Sequence, residues 1–439
     1  MKRLEKFTGV CSLLLNLMPF LLYISLTKEQ SDVFIGALPF AIFYAFRHAI
    51  LLFCRDLEYD YQRLAWIGLY SGAIGYFLGM FGGIHPIFWD LSGVGAGIAS
   101  RLFPTVMSQR KRLMKRGTLP APAGYLKPII QVIIVLIVLV IVTWIRKSIV
   151  SFALMLIITL CAIGSFWDTP QTIIPQSQIR IRWTNYVLAL ILLGAMLLIR
   201  LGRSLGIGQP IEWGLSLLLI FLVVMIIALL LSYHSIQHYP EHLRQRIMLY
   251  GACGQYWTLY STVFIGVLYG AKMYAWTIVA YLFAAVFGGM LAKQVDRLFK
   301  IDDSQVNLLM LIIGIFSTFW LPTYFIGVFL IRSFAGSERK KAITDYEKAT
   351  HNYNISSIVN YYYASIAGII SQVIMWGSLF VFAGNAGMNR IFGAFSVGKI
   401  SPQSSSSIMY THIILAGYMI IFIMALAFRL KNTKKQELR

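Results

Sequence analysis

Long apolar runs separated by short polar or basic stretches recur along all 439 residues of the chain. A helix that crosses a membrane needs about 20 consecutive, mainly apolar residues. Runs of this kind are found at 7–26, 33–54, 64–83, 85–104, 127–145, 148–166, 183–203, 211–233, 249–270, 271–292, 356–383 and 407–429. The pattern predicts an all-α polytopic membrane protein.

The stretch 304–334 is long for one crossing and short for two. Trp320 and Pro322 near its middle predict a turn, because proline disfavours helix in the residue before it. Charge also favours two crossings, since these place the basic loop at 339–341 and the basic C-terminal tail on the same side as the other basic loops. An excess of Lys and Arg marks the cytoplasmic side. We therefore predict about fourteen spans in the cytoplasmic membrane, with both termini inside.

Composition agrees with a membrane protein. The chain is 58% apolar and 13% charged, with a mean hydropathy of +0.71, whereas a soluble domain averages about 45–50% apolar and about 25% charged residues. The net charge of +21 is interpreted as cationic loops facing anionic lipid headgroups, with no nucleic acid as partner. The 4 cysteines lie far apart and indicate neither a disulfide framework nor a metal cluster.

A weak internal repeat divides the chain. Residues 98–112 and 329–341 each show an apolar helix end, an arginine (Arg101 or Arg332), an aromatic residue and a basic triplet. If 183–233 is an inserted pair of helices, two equivalent six-helix halves remain, and such parallel repeats are typical of one transporter architecture. The predicted domains are an N-terminal six-helix bundle at 1–166, two inserted helices with cytoplasmic loops at 167–248, and a C-terminal six-helix bundle at 249–439.

Two short motifs accompany this repeat. Residues 289–297 have the sequence GMLAKQVDR and residues 93–97 have the sequence GVGAG. Both resemble motifs of the major facilitator superfamily in its fourteen-helix form: the loop signature G-x-L-A-D-R-x-G-R, with Lys293 in place of the aspartate, and a G-x-G-A stretch, with Trp89 where an arginine is expected. The resemblance implies a secondary transporter that works by alternating access. Together with the repeat, it gives these candidate gating or loop residues: Gly289, Arg297, Arg101 and Arg332.

Polar residues recur at helical spacing in three of the predicted spans: 7–26, 249–270 and 356–383. Polar groups that remain in hydrocarbon usually face a cavity or another helix, although a small and polar stripe can equally be a helix-packing seam. In the resembled family, the first helix of each half lines the central cavity. The candidate cavity residues on these stripes are Asn16, Tyr23, Gln255, Thr258, Thr262, Tyr361, Ser365, Gln372 and Trp376.

Three ionisable side chains in the spans are further candidates for the cavity: Arg47, His48 and Asp90. A buried guanidinium needs a carboxylate, carbonyls, water or an anionic ligand. Helix rise separates Arg47 and Asp90 by about 14 Å in depth, so a direct pair is not expected. An anion contact, a gating charge and a structural tie to backbone all stay open for Arg47. His48 could titrate near neutral pH and take part in proton coupling, and a coupling cation is the alternative.

The hypothesis that fits these features is a secondary transporter for a small neutral or anionic amphipathic organic solute, since the inferred cavity is aromatic and rich in amides. Export is suggested by family analogy alone. A flippase for a lipid or lipid-linked saccharide is the alternative. An integral-membrane enzyme is a third, because residues 238–242 read H-x-x-E-H, but Pro240 interrupts the helix face that zinc would need. No cofactor or metal is expected, and membrane lipids are expected partners.

Overall fold

The computed structural model describes residues 5–29, 33–53, 61–119, 126–145, 147–167, 241–299, 303–351, 353, 356–383 and 402–437. All regular secondary structure within these ranges is helical. In chain order over the described residues, the helices are α1 Thr8–Glu29, α2 Val33–Phe53, α3 Tyr61–Gly79, α4 Ile87–Lys115, α5 Pro128–Trp144, α6 Ser148–Trp167, α7 Glu241–Ser261, α8 Ala271–Phe299, α9 Asp303–Ser317, α10 Leu321–Thr350, α11 Ser356–Ala383 and α12 Pro402–Glu437. A 3-10 turn, Glu5–Phe7, precedes α1, and a π-helical segment, Thr262–Val267, extends α7.

The structure confirms two helices in the stretch 304–334. Trp320 has extended backbone (φ −118°, ψ 134°) between α9 and α10, and Pro322 lies in the first turn of α10. Proline is tolerated there, because its missing N–H would have no partner within the helix. The prediction that 339–341 form a loop is wrong, since α10 continues to Thr350. Hydropathy marks the part of a helix that lies in hydrocarbon, whereas the backbone hydrogen bonds continue past it.

The same difference occurs at other helix ends. α4 runs from Ile87 to Lys115 and α8 runs to Phe299, both beyond the predicted apolar runs. α7 begins at Glu241, several residues before the predicted start. The predicted spans 183–203 and 211–233 lie outside the described residues.

The outer faces of several helices are apolar. α5 exposes a row of large side chains at helical spacing, among them Ile129, Ile133, Ile137 and Trp144. By length and composition, 4 described helical segments could cross a membrane: Thr8–Leu26, Ser148–Trp167, Lys272–Val295 and Ile408–Leu430. Shorter apolar helices cover Leu38–Leu51, Ile129–Val142 and Ser304–Ser317. Exposed apolar rows of this kind fit a lipid environment.

The chain forms two compact units. Among the described helices, unit 1 contains α1 to α6 and residues 357–362 of α11, and unit 2 contains α7 to α10, residues 363–382 of α11 and α12. Within unit 1, α4 packs against α1, α2 and α3, and α6 packs against α1 and α3. Within unit 2, α10 packs against α7, α8 and α9, and α12 packs against α7 and α9. The internal packing of the two units therefore follows one scheme, while the predicted domain boundaries at 166 and 248 stay predictions.

The glycines of the GVGAG motif pack α4 against its neighbours. A Cβ on Gly93 would stand 2.5 Å from the Pro39 carbonyl oxygen of α2, and one on Gly97 would stand 2.7 Å from the Phe43 oxygen of the same helix. A Cβ on Gly95 would meet the opposite neighbour, α3, at the Ser71 oxygen. Small residues let helix backbones approach closely in a membrane, where van der Waals packing drives association.

Cysteine labelling tests whether α10 crosses the membrane. We expect Trp320→Cys to react with a membrane-impermeant maleimide in intact cells, and Lys340→Cys to react only after the cells are permeabilised. Both positions are exposed, and twenty helical residues span about 30 Å. The background is a variant whose 4 native cysteines are replaced by serine, which must itself stay unlabelled. Equal labelling of both variants in intact cells would contradict two crossings between residues 304 and 350.

Candidate functional site

In unit 1 the structure brings Arg47 together with Asn16. Arg47 on α2 is only 8% exposed, and its Nη2 donates a hydrogen bond to the Asn16 Oδ1 at 2.6 Å. Its Nη1 donates to the backbone oxygens of Asn16 (3.3 Å) and Ser100 (3.2 Å), and the guanidinium lies 5.0 Å from the centre of the Phe20 ring. Of the roles left open by the sequence, these contacts favour a structural tie that joins α1, α2 and α4.

A second polar cluster of unit 1 lies near the start of α4. The hydroxyls of Tyr23 and Ser92 are hydrogen bonded at 2.9 Å. Asp90 is buried in the first turn of α4, where the positive end of the helix dipole stabilises a carboxylate. Ser100, which contacts Arg47, lies ten residues further along α4, or about 15 Å along the axis. The clusters around Arg47 and Asp90 are therefore separated along α4, as helix rise predicts. His48 is also buried, and its part in coupling stays a prediction.

In unit 2 a small cavity lies among α7, α11 and α12. Its volume is about 10 Å³, enough for about one water molecule. The side chains around it are aromatic, aliphatic, thioether, hydroxyl and amide groups, and none is charged. They belong to Ala252, Gln255, Tyr256, Tyr260, Ser371, Met375, Leu415, Tyr418 and Met419. Of the predicted cavity residues, Gln255 lines this space.

The other predicted residues of unit 2 and α11 are dispersed. The Thr258 hydroxyl donates to the Gly254 oxygen of its own helix at 2.6 Å, a bond typical of threonine within helices. Ser365 is fully buried in unit 2, whereas Tyr361 belongs to unit 1. The side chains of Thr262, Gln372 and Trp376 lie outside the described part of the structure.

Beside this cavity lies a buried histidine that the sequence pattern did not single out. His412 on α12 is 0% exposed and is surrounded by aromatic rings of α7, its π-helical extension and the turn before α10. Two signals could have found it. It lies inside the predicted span 407–429, where an ionisable residue indicates function by default, and Tyr256, Tyr260 and Phe264 recur every four residues on the facing helix.

The two arginines of the internal repeat lie on aromatic rings in their own units. Arg101 stands 5.0 Å from the centre of the Tyr361 ring, and its Nη2 donates to the Tyr361 oxygen at 2.8 Å. Arg332 stands 4.8 Å from the Tyr281 ring, and its Nη1 donates to the Tyr250 hydroxyl at 3.3 Å. Guanidinium groups at such distances are attracted by ring faces. The gating function of both arginines stays a prediction.

The two residues taken from the loop signature lie on α8. A Cβ on Gly289 would stand 3.4 Å from the Lys340 Nζ of α10, so little more than a side chain separates the two helices there. Arg297 is exposed in the last turn of α8. Neither observation tests the gating function predicted for Gly289 and Arg297.

A buried charge network of unit 2 was also missed from sequence. Glu338 on α10 accepts a hydrogen bond from the Arg246 Nε at 3.1 Å and one from the Asn307 Nδ2 at 2.7 Å. The Arg246 Nη1 also donates to Asp345 at 2.8 Å. These contacts link α7, α9 and α10. The contacts join residues that are 31 to 99 positions apart in the chain, so no local sequence pattern indicates the network.

The H-x-x-E-H segment lies largely outside the described residues, which resume at Glu241, where α7 begins. Within the described ranges, no group of three or more His, Cys, Asp and Glu side chains is arranged to hold a metal ion. The interpretation as a zinc enzyme therefore gains no support from the described part of the chain.

Comparison with known proteins identifies the fold. No family model and no curated protein matches the sequence. Three solved structures are similar: the POT family transporter PepTSo (13% identity, 99% of this chain and 97% of that one, TM-score 0.51), the nucleoside transporter NupG (11%, 97% and 98%, 0.53) and an auto-inhibited POT family peptide transporter (13%, 98% and 95%, 0.52). The chain is thus an all-α polytopic membrane protein that shares the fold of these solved transporters. The fourteen-helix form stays a prediction.

Proposed function

We propose that this protein is a secondary active transporter that moves a small neutral or anionic amphipathic organic solute across the cytoplasmic membrane by alternating access. The observation that carries the proposal is the uncharged cavity of unit 2, lined by Gln255, tyrosines and methionines, in a chain with a transporter fold. The similar structures include a nucleoside transporter and a peptide transporter. Export is proposed as the direction by family analogy.

The lining defines the chemistry of the solute. Aromatic faces and the thioethers of Met375 and Met419 suit an apolar group, whereas the Gln255 amide and the Ser371 hydroxyl can bond a polar one. The lining contains no carboxylate, so nothing there would neutralise a polyamine or another organic cation. A neutral solute therefore fits this lining better than a cationic one, whereas the lining supplies no cationic group for an anionic solute.

The cavity volume of about 10 Å³ is far below the roughly 300–1,000 Å³ of a ligand pocket. Solute can therefore bind only after the helices that carry Gln255, Ser371 and Tyr418 move apart. Alternating access requires such a change, because the site must open to one side of the membrane at a time. We interpret the small cavity as the closed form of the site.

Transport is tested in proteoliposomes loaded with a panel of radiolabelled dipeptides, nucleosides and short amphiphilic carboxylates. We expect at least one of these solutes to show counterflow, the exchange of labelled for unlabelled solute. Gln255→Ala should weaken the apparent affinity for that solute by roughly 2- to 13-fold, because a neutral hydrogen bond contributes about 0.5–1.5 kcal/mol. Gln305→Ala is the matched control, since Gln305 is exposed at the start of α9. If no solute moves under any imposed gradient, or if both variants behave alike, the proposed site is wrong.

A further inference from the structure

The aromatic surroundings of His412 form a closed box. Its imidazole centre lies 4.3 Å from that of Phe319, 4.7 Å from that of Tyr260, 5.1 Å from that of Phe264 and 5.8 Å from that of Tyr256. The faces of aromatic rings carry partial negative charge and attract cations within about 6 Å. All four ring centres lie within this distance of the imidazole centre, at interplanar angles of 38° to 85°, so any ring that presents its face to the imidazole favours the imidazolium.

Hydrogen bonds around the ring indicate which nitrogen carries the proton. The His412 Nε2 lies 3.2 Å from the Tyr256 hydroxyl and 3.2 Å from the Thr318 Oγ1, and these two oxygens are 2.8 Å apart. Thr318 also donates its only hydroxyl proton to the Ile315 oxygen at 2.6 Å, so towards Tyr256 and His412 it can only accept. The short bond from Tyr256 to Thr318 uses the tyrosine proton. Both hydroxyls are then acceptors for an Nε2–H group.

In this tautomer the Nδ1 of His412 carries no proton and has a free lone pair. Nδ1 is buried and has no hydrogen-bond partner among the described residues. The opposite tautomer would bury an N–H donor without an acceptor, and such orphaned donors are rarer in proteins than under-satisfied acceptors. A buried polar atom without a partner is destabilising. Nδ1 is thus a nitrogen that can take up a proton when water reaches it.

No charged side chain of the described residues contacts the ring. The groups that face His412 are Tyr256 and Tyr260 on α7, Phe264 on its π-helical extension, and Thr318 and Phe319 in the turn before α10. Only the two tyrosines among them are titratable. Without a carboxylate to hold a proton permanently, protonation of this imidazole depends on how far the box opens to water.

Two features connect His412 to the proposed solute site. Tyr256 and Tyr260 contact the imidazole and also line the cavity, so the two sites share a wall. In addition, Phe264 belongs to the π-helical segment Thr262–Val267, and π-helical insertions in α-helices occur frequently at functional sites. Opening of the cavity would displace Tyr256 and expose the imidazole to water.

We propose, on the basis of the proposed transport function, that His412 is the proton-binding residue that couples solute movement to a proton gradient. A hydronium ion on one side of the membrane gives its proton to Nδ1 and leaves as water, which forms the imidazolium. After the site reopens on the other side, Nδ1 returns the proton to water. Tyr256 links the two events, because its position depends on both the solute cavity and the imidazole.

The protonation state of His412 can be observed by ¹⁵N NMR of the full-length protein, with ¹⁵N-labelled histidine, in lipid nanodiscs. We expect a resonance that is missing in His412→Gln and that reports a neutral ring at pH 8, protonated on Nε2. On acidification it should change to the imidazolium pattern. A ring protonated on Nδ1 at pH 8, or one that stays neutral throughout, would overturn the proposal even if solute transport is intact.

Coupling is measured with whichever panel solute shows counterflow. One pH unit corresponds to about 1.36 kcal/mol, so coupling of one proton per solute sustains roughly tenfold accumulation. His412→Gln keeps a donor for the two hydroxyls but lacks a basic nitrogen. It should lose this accumulation and keep counterflow, while the exposed His85→Gln should keep both. Accumulation that persists in His412→Gln would overturn the coupling and leave the transport proposal standing.

Two further outcomes separate the proposals. If His412→Gln does not fold, proton coupling is tested on the wild type, by its ¹⁵N spectrum and by adding a protonophore during solute accumulation. Accumulation that is insensitive to the protonophore would overturn proton coupling. If no panel solute moves, the transport proposal fails. The ¹⁵N titration then still shows whether His412 binds a proton at Nδ1, and a ring that does not titrate overturns this inference as well.

Discussion

Glu338→Ala is expected to destabilise the protein by about 3–5 kcal/mol, the loss typical when one partner of a buried ion pair is removed. Glu338 is 1% exposed and receives two contacts from Arg246, one from Nε at 3.1 Å and one from Nη2 at 3.0 Å. Alanine would leave the Arg246 guanidinium buried beside a cavity, with its charge only partly compensated by Asp345. It would also remove the acceptor of the Asn307 amide.

Asp345→Ala, at the exposed edge of the same network, separates the effect of losing a buried contact from the effect of losing a negative charge. The side chain of Asp345 is 43% exposed and contacts the same arginine at 2.8 Å. Exposed ion pairs contribute only about 0–1 kcal/mol, because water and salt screen them. Asp345→Ala should therefore be much milder than Glu338→Ala, although both remove one negative charge.

Thermal unfolding of the purified variants in one detergent, followed by size-exclusion chromatography of the soluble fraction, measures the difference. Glu338→Ala should melt well below the wild type or fail to accumulate, while Asp345→Ala should melt close to it. Glu338→Gln should be intermediate, since the amide keeps an oxygen acceptor but loses the charge. Equal melting of Glu338→Ala and Asp345→Ala would mean that the buried contact does not stabilise unit 2.

The helices themselves could be predicted from the sequence because hydropathy acts locally. A run of about 20 apolar residues excludes water wherever it stands in the chain, and a backbone in lipid must satisfy its hydrogen bonds within the helix. The turn near Trp320 and Pro322 was predicted at the right place but not at the right residue: proline disfavours helix in the residue before it, yet Leu321 is the first residue of α10 and Trp320 is the extended one. Helix ends were predicted less well. α4 and α10 continue beyond their apolar runs, and on that part of α10 Glu338 makes tertiary contacts with Arg246 and Asn307, which a hydropathy window does not contain.

The candidate site was predicted only in part, because a polar stripe identifies a helix face but not its neighbour. Gln255 was found on such a stripe and lines the cavity. Tyr361 was placed with Ser365 on one face, yet it contacts Arg101 of α4. His412 was missed because its partners are distant in sequence: Tyr256 lies 156 residues and Thr318 lies 94 residues away. Such contacts depend on how the helices pack, which no window along the chain contains.

Gly95→Ala should destabilise unit 1 by about 1–3 kcal/mol or more, the range for inserting atoms into a packed interior. A Cβ on Gly95 would overlap the Ser71 carbonyl oxygen and would stand 2.7 Å from the Gly75 Cα. Both neighbours are backbone atoms of α3, so no side chain can rotate away. The helices would have to separate along the seam, and close packing is what holds helices together in lipid.

Considered for the isolated helix α4, the same substitution should be stabilising, so helix propensity and packing predict opposite changes in stability. In the middle of a helix, alanine is more favourable than glycine by roughly 0.5–1 kcal/mol. Gly417→Ala on α12 isolates this term, because a Cβ there meets nothing within 4 Å. Gly417→Ala should therefore raise the melting temperature slightly or leave it unchanged, whereas Gly95→Ala should lower it. If Gly95→Ala were as stable as Gly417→Ala, α3 and α4 could not be in backbone contact at this position, and the GVGAG motif would not form the seam between them.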